Sequence, residues 1–198
     1  MLGQMSQNST LKRLGVAATA FLVLAVLGPP ALADKIDDAQ AAFAEFDDEK
    51  AIKLLGEALS ESQAAPRRQA LAYFNRGEVY VSKGAYDLAL GDFTAALALP
   101  QDDGERALTL ISRAETYNRR NRNEEALKDY DASLLLAPEQ LGARTARGQL
   151  KQKMGLKDAA LADFEAELKL HPTYYRALVG RSVLLGLPLP PDPTRGRR

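Results

Sequence analysis

Apolar positions along the chain fall into two regimes: residues 14–27 form one almost unbroken apolar run, whereas beyond residue 33 apolar and polar side chains interleave. In the second regime alanine, leucine, glutamate, lysine and arginine are abundant, and no stretch alternates as a half-buried strand does. Glycine and proline return mainly at intervals suited to turns. Helices joined by short turns are therefore expected from residue 35 to residue 185.

Comparing the chain with itself reveals a period. From Ala70 run Arg76-Gly77, Tyr80, Gly84, Tyr86, Ala89, Asp92-Phe93, Ala96-Leu97 and Leu99-Pro100. From Ala107 the chain answers with Arg113-Ala114, Tyr117, Asn121, Asn123, Ala126, Asp129-Tyr130, Ser133-Leu134, Leu136 and Pro138. A third copy from Leu141 gives Arg147-Gly148, Gly155, Ala160, Asp163-Phe164, Leu168, Leu170 and Pro172, with Lys151 where the others have tyrosine. An earlier unit shows mainly its second helix, in Ala51-Ile52, Leu55 and Ala58-Leu59, and Pro66 precedes the next helix. A final half-unit carries Arg181-Ser182 and no second helix. Self-similarity at about 34 residues is the mark of stacked helical hairpins.

These motifs resemble the tetratricopeptide-repeat (TPR) family over residues 35–185, although the family's first-helix tryptophan is missing and arginine replaces its leucine before the glycine. The resemblance implies an all-α, right-handed solenoid of about four helix-pair repeats, at 32–65, 70–103, 107–140 and 141–174, closed by a capping helix over 173–186. Such a terminal helix covers the last apolar face of an array. Within each unit the small residue (Gly77, Ala114, Gly148, Ser182) and the alanine (Ala89, Ala126, Ala160) are expected where paired backbones approach most closely. Phe93, Tyr130 and Phe164 are expected to wedge between helices. Gly84, Asn121 and Gly155 suit the left-handed backbone of a tight turn. Pro100, Pro138 and Pro172 stop the second helices and are suited to starting the next ones.

Two charged columns accompany this framework. Arg76, Arg113, Arg147 and Arg181 stand beside the small residue, and Asp92, Asp129 and Asp163 beside the aromatic. We expect a ladder of partly buried ion pairs, because a guanidinium sunk between helices without a carboxylate is costly. Pairing within a unit leaves Arg181 without an aspartate, whereas pairing back to the previous unit leaves Arg76 facing Leu54. A functional alternative points the arginines into a groove to hold an acidic ligand.

First helices of such an array line an extended surface for a peptide or partner helix. On the face turned from the packing stripe the candidates are Leu71, Phe74, Glu78, Leu108, Ile111, Glu115, Asn118, Arg119, Thr145, Gln149 and Lys153, apolar in the early units and more polar, then basic, in the later ones. A paired lysine and asparagine grip on a C-terminal carboxylate is not evident, since Leu108 and Ser112 beside Asn75 supply no cation.

Other chemistry is thinly represented. Cysteine is absent and histidine occurs once, at His171, so no thiolate centre or histidine cluster is expected within one chain. No phosphate-cradling loop or nucleophile elbow occurs. His171 is expected at a helix end beside its carbonyls, and Asp47-Asp48 and Asp102-Asp103 in turns or as N-caps. The reading is of a binding protein without enzymatic activity, cofactor or metal. The 26 basic and 26 acidic side chains balance, which gives no global field toward nucleic acid.

At the start, Lys12 and Arg13 precede the apolar run, followed by Gly28, Pro29, Pro30 and Ala31-Leu32-Ala33. This order reads as a secretory signal peptide over residues 1–33, its run shorter than the roughly 20 residues of a membrane span. Pro29 and Pro30 are expected to leave Ala31 and Ala33 extended for cleavage. The mature chain would then lie in the periplasm or outside the cell, without an integral span. The tail over 187–198, with Pro188, Pro190, Pro191 and Pro193 ahead of Arg195, Arg197 and Arg198, is expected to be disordered. The functional expectation is a bacterial cell-envelope scaffold binding a protein or peptide partner. The alternative is a homo-oligomeric structural subunit of an envelope assembly.

Overall fold

The computed structural model describes residues 30–61 and 65–193, with side chains from Lys35 onward. Residues 1–29 of the expected leader and 194–198 of the tail lie outside that range. Among the described residues there are nine helices and no strand. They are α1 (Pro30–Ala44), α2 (Asp48–Ser60), α3 (Pro66–Ser82), α4 (Tyr86–Leu97), α5 (Asp103–Arg119), α6 (Asn123–Leu136), α7 (Ala143–Lys153), α8 (Lys157–Leu170) and α9 (Tyr175–Leu185). None is long and apolar enough to cross a membrane.

Local chemistry explains the boundaries. Asp47 caps α2 by accepting the Lys50 N–H at 3.1 Å. Asp102 caps α5 in a reciprocal box with Glu105. Gly84, Asn121 and Gly155 close the first helices of three hairpins at φ of 73°, 57° and 80°. Pro100, Pro138 and Pro172 follow the ends of α4, α6 and α8, but the next helices begin at Asp103, Ala143 and Tyr175. These prolines thus stop helices without starting new ones. Pro66, by contrast, occupies the first turn of α3, where its missing N–H costs nothing. Pro30 likewise opens α1, so residues 31–33 are helical rather than extended.

The described helices fall into two compact units, Met1–Pro100 and Gln101–Arg198. In the first unit α1 pairs with α2 and α3 with α4, and α3 also packs on α2. Ile36, Ala39, Ala42, Ala51, Leu55, Ala58, Ala72 and Val79 form one buried cluster. Phe74, Ala89, Phe93 and Ala96 form another.

In the second unit α5 pairs with α6 and α7 with α8, while α9 packs on α8 and also touches α7. Tyr130 sits among Ala114, Ala126 and Leu150, and Phe164 among Ala160, Leu168 and Ala177. Close approach explains the small column: a Cβ added at Gly148 would come within 2.9 Å of the Phe164 ring, and one at Gly180 within 2.5 Å. The Phe164 ring therefore fills the space between α7 and α9 that two missing side chains leave open.

Candidate partner-binding surface

The arginine column packs within its own hairpins. Arg76 donates from Nε to Asp92 Oδ2 at 2.7 Å and from Nη2 to Oδ1 at 2.8 Å. Arg113 repeats both bonds to Asp129 at 2.7 and 2.8 Å. Arg147 does so to Asp163 at 2.9 and 2.6 Å, and its Nη1 reaches Asp131 at 2.6 Å. Bidentate geometry matches the planar guanidinium to the carboxylate plane. The aspartate bonds, which are the largest influence, raise the pKa of Arg76 and of Arg113 above its ordinary value against the pull of burial. For Arg147 burial is the largest single influence and opposes the charge, yet the bonds to Asp163 and Asp131 more than offset it.

Tyrosines complete the first two pairs: the Arg76 guanidinium lies 5.6 Å from the Tyr73 ring centroid and 5.9 Å from that of Tyr80, and Arg113 lies 5.8 Å from Tyr117. Lys151 replaces this tyrosine in α7 and its Nζ lies 2.8 Å from Asp163 Oδ2. The departure at Lys151 therefore exchanges a cation–π contact for a second cation on the same carboxylate. These pairs hold Arg76, Arg113 and Arg147 within their own hairpins.

The surface candidates separate by unit. In the first, Phe74 is 8% exposed and lies 6.0 Å from Phe93, ring centroid to centroid. Leu71 packs against the first buried cluster, and Glu78 is half-buried. The apolar stretch assigned to a groove thus belongs largely to the core, because an aromatic in the first helix finds the neighbouring aromatic column before it finds solvent. Thr145 corrects another assignment: at 1% exposed it is sealed inside the second unit.

The fully exposed candidates all lie in the second unit. Arg119, Gln149 and Lys153 are exposed, and Leu108, Ile111, Glu115 and Asn118 half-buried. Lys153 on α7 donates to Asn118 Oδ1 at 2.9 Å and to Asn121 Oδ1 at 3.0 Å, which ties it to the end of α5. Burial raises the pKa of the Glu115 carboxyl, and the charges of Arg119 and Arg176 oppose that rise. The Tyr130 hydroxyl is pushed far up, first by burial and then by the Glu115 charge, again against Arg176 and Arg119. Glu115 of α5, Tyr130 of α6 and exposed Arg176 of α9 thus influence one another electrostatically.

Arg176 is the residue that the sequence reading missed. A signal was present, because Arg176 precedes Arg181 by the same five residues that separate Leu71 from Arg76 and Leu108 from Arg113. Glu167 was missed as well. It is wholly buried, and its Oε1 accepts the Gly142 N–H at 3.1 Å, which ties α8 to the start of α7. His171 ends α8 as expected of a helix terminus, its backbone N–H donating to Glu167 O at 2.8 Å. Its ring Nε2 approaches the Glu167 carboxylate at 3.9 Å. Among the described residues no three His, Cys, Asp or Glu side chains gather as a metal would require.

No family model matches the chain. The tetratricopeptide repeat protein 36 homolog of Drosophila pseudoobscura pseudoobscura is 35% identical over 106 residues, 51% of this chain and 55% of that protein. The chain thus spans about half the length of this curated relative. A solved tetratricopeptide repeat protein from Parabacteroides merdae has a TM-score of 0.68 at 25% identity, covering 77% of this chain and 58% of that one. The second TPR domain of the human RPAP3 protein, solved in complex with the HSP70 peptide SGPTIEEVD, has a TM-score of 0.56 at 30% identity. It covers 61% of this chain and 98% of that domain.

Proposed function

We propose that this chain, an all-α protein of the tetratricopeptide-repeat fold, is a protein-interaction module whose second unit takes an acidic peptide on α5, α7 and α9. The observation that carries this reading is the exposed set Arg119, Lys153 and Arg176, of which Arg119 and Arg176 act on half-buried Glu115 while Lys153 is held at the end of α5 by Asn118 and Asn121. Three exposed cations favour an acidic ligand, and Leu108 stands half-buried on α5, whereas Ile111 packs against the Tyr130 cluster. The RPAP3 domain supports it by likeness, since the peptide in its complex carries two glutamates and an aspartate. Charged rim contacts of this kind steer association and fix orientation, while the half-buried apolar positions supply area.

The test is selection from an acidic peptide library, followed by anisotropy titrations of the selected peptide. Changing Arg119→Glu together with Arg176→Glu should weaken binding at least about tenfold, equivalent to 1.4 kcal/mol. Leu135→Glu, at a residue 85% exposed on α6, should leave affinity unchanged. Equal affinity for all three proteins would remove the proposed surface.

The same reading places the module in the bacterial cell envelope, as a scaffold delivered by residues 1–33. Its support is the sequence order of Lys12 and Arg13, the apolar run and Ala31-Leu32-Ala33. Mass spectrometry of the protein recovered from periplasm should show Asp34 as its first residue, and an intact N-terminus in the cytosolic fraction alone would contradict export.

A further inference from the structure

The helical hairpins turn in one common way, and the first does so against its residue type. In each, the backbone N–H just past the turn donates five residues back: Asp47 to Ala42 O at 2.8 Å, and Ala85 to Tyr80 O, Arg122 to Tyr117 O and Leu156 to Lys151 O at 2.9 Å. That bond closes the first helix of the pair and sets the residue before it in the left-handed conformation. Gly84, Asn121 and Gly155 fill this place in three hairpins, whereas the first has Phe46, at φ 65°. Glycine and asparagine adopt the conformation readily, but a bulky aromatic residue is strained in it.

Burial offsets little of this strain. Phe46 is 50% exposed, while Phe74, Phe93 and Phe164 are buried. Its surroundings are charged: from Glu45 to Glu49 every residue other than Phe46 is acidic. Glu49 pairs with Lys83, and Asp48 accepts the Ser82 hydroxyl at 3.4 Å. Glu45 and Asp47 are exposed on either side of the ring, Asp47 as the cap of α2. An accessible aromatic ring flanked by carboxylates, kept where glycine would fit better, has the form of a recognition knob.

We propose that the turn between α1 and α2 docks on a second copy of this chain, with Phe46, Glu45 and Asp47 of one molecule seated on the surface carrying Arg119, Lys153 and Arg176 of the other. This occupant rests on the acidic-peptide reading of that surface and makes it specific to residues 45–49. Charge complementarity selects it: the turn offers exposed carboxylates, and the three cations are exposed, with Lys153 bonded to the neutral side-chain oxygens of Asn118 and Asn121. Knob and surface are different patches of the same chain, so the contact is head-to-tail and can repeat from copy to copy.

Sedimentation equilibrium of the purified protein should show a mass that rises with concentration past that of a dimer. Phe46→Gly should abolish this rise, and so should Arg119→Glu with Arg176→Glu, while a mixture of the two variants, one keeping the surface and the other the knob, should form a 1:1 dimer. Because glycine suits the turn, the Phe46→Gly protein should melt no lower than the unaltered chain; a lower Tm makes Phe46 a packing residue and overturns the proposal. A protein that stays monomeric up to about 1 mM also overturns it, leaving the turn for a partner other than this chain. If the mixture stays monomeric while Phe46→Gly still binds the selected acidic peptide, self-docking fails and the peptide surface stands. Peptide binding unchanged by Arg119→Glu with Arg176→Glu removes the surface itself, and the self-docking with it.

Discussion

Asp129 is buried and holds Arg113 through two hydrogen bonds, whereas Lys128 beside it is exposed. Removing the carboxylate leaves a half-buried guanidinium without its acceptor. Asp129→Ala should therefore cost about 2–4 kcal/mol, below the deepest buried pairs because Arg113 retains some solvent. Lys128→Ala should stay within about 0.5 kcal/mol. Thermal melts of the two variants check this, and equal losses would contradict a structural role for the pair. Glu115 provides a second test through pH. Burial raises its pKa above the ordinary 4.5, with Arg119 and Arg176 in opposition, so the folded chain holds this proton more tightly than the unfolded one. Its contribution to stability is full below 4.5 and is lost as pH rises through the raised folded value. Glu115→Gln should accordingly raise the Tm near about pH 8, with the gain shrinking toward about pH 4. A gain that is the same at both ends would contradict this assignment.

At the scale of elements, the interlock of small and aromatic residues reverses an ordinary helix rule. Glycine to alanine inside a helix normally gains about 1 kcal/mol. At Gly180 the added Cβ would lie 2.5 Å from Phe164 Cζ, so Gly180→Ala should instead lose about 1–3 kcal/mol. Combining it with Phe164→Leu should recover part of that loss, a non-additivity readable in denaturant titrations of the four proteins. Additive losses would place the ring elsewhere. Much of this layer was legible in the sequence, because turn residues, small residues and aromatics recur at one period and each has a steric reason. Phe74 and Thr145 were misplaced since periodicity gives a helix face but not how far a neighbouring helix covers it. Glu167 was invisible because a carboxylate that reaches a backbone N–H 25 residues earlier leaves no local pattern. Lys151 stood out as a departure, yet its role emerged only from its distance to Asp163.

For the whole molecule, two units of stacked hairpins distribute the work unevenly. The first commits its candidate aromatic to the core through Phe74 and Phe93, and the second keeps charge at its surface in Arg119, Lys153 and Arg176. The partner-binding reading accordingly rests on α5, α7 and α9, the three helices that carry these cations. Amide hydrogen exchange of the protein with and without its selected acidic peptide tests that reading most directly. Slower exchange in α5, α7 and α9, with α6 and α8 unchanged, is the expected result; protection confined to α6 and α8 would contradict it.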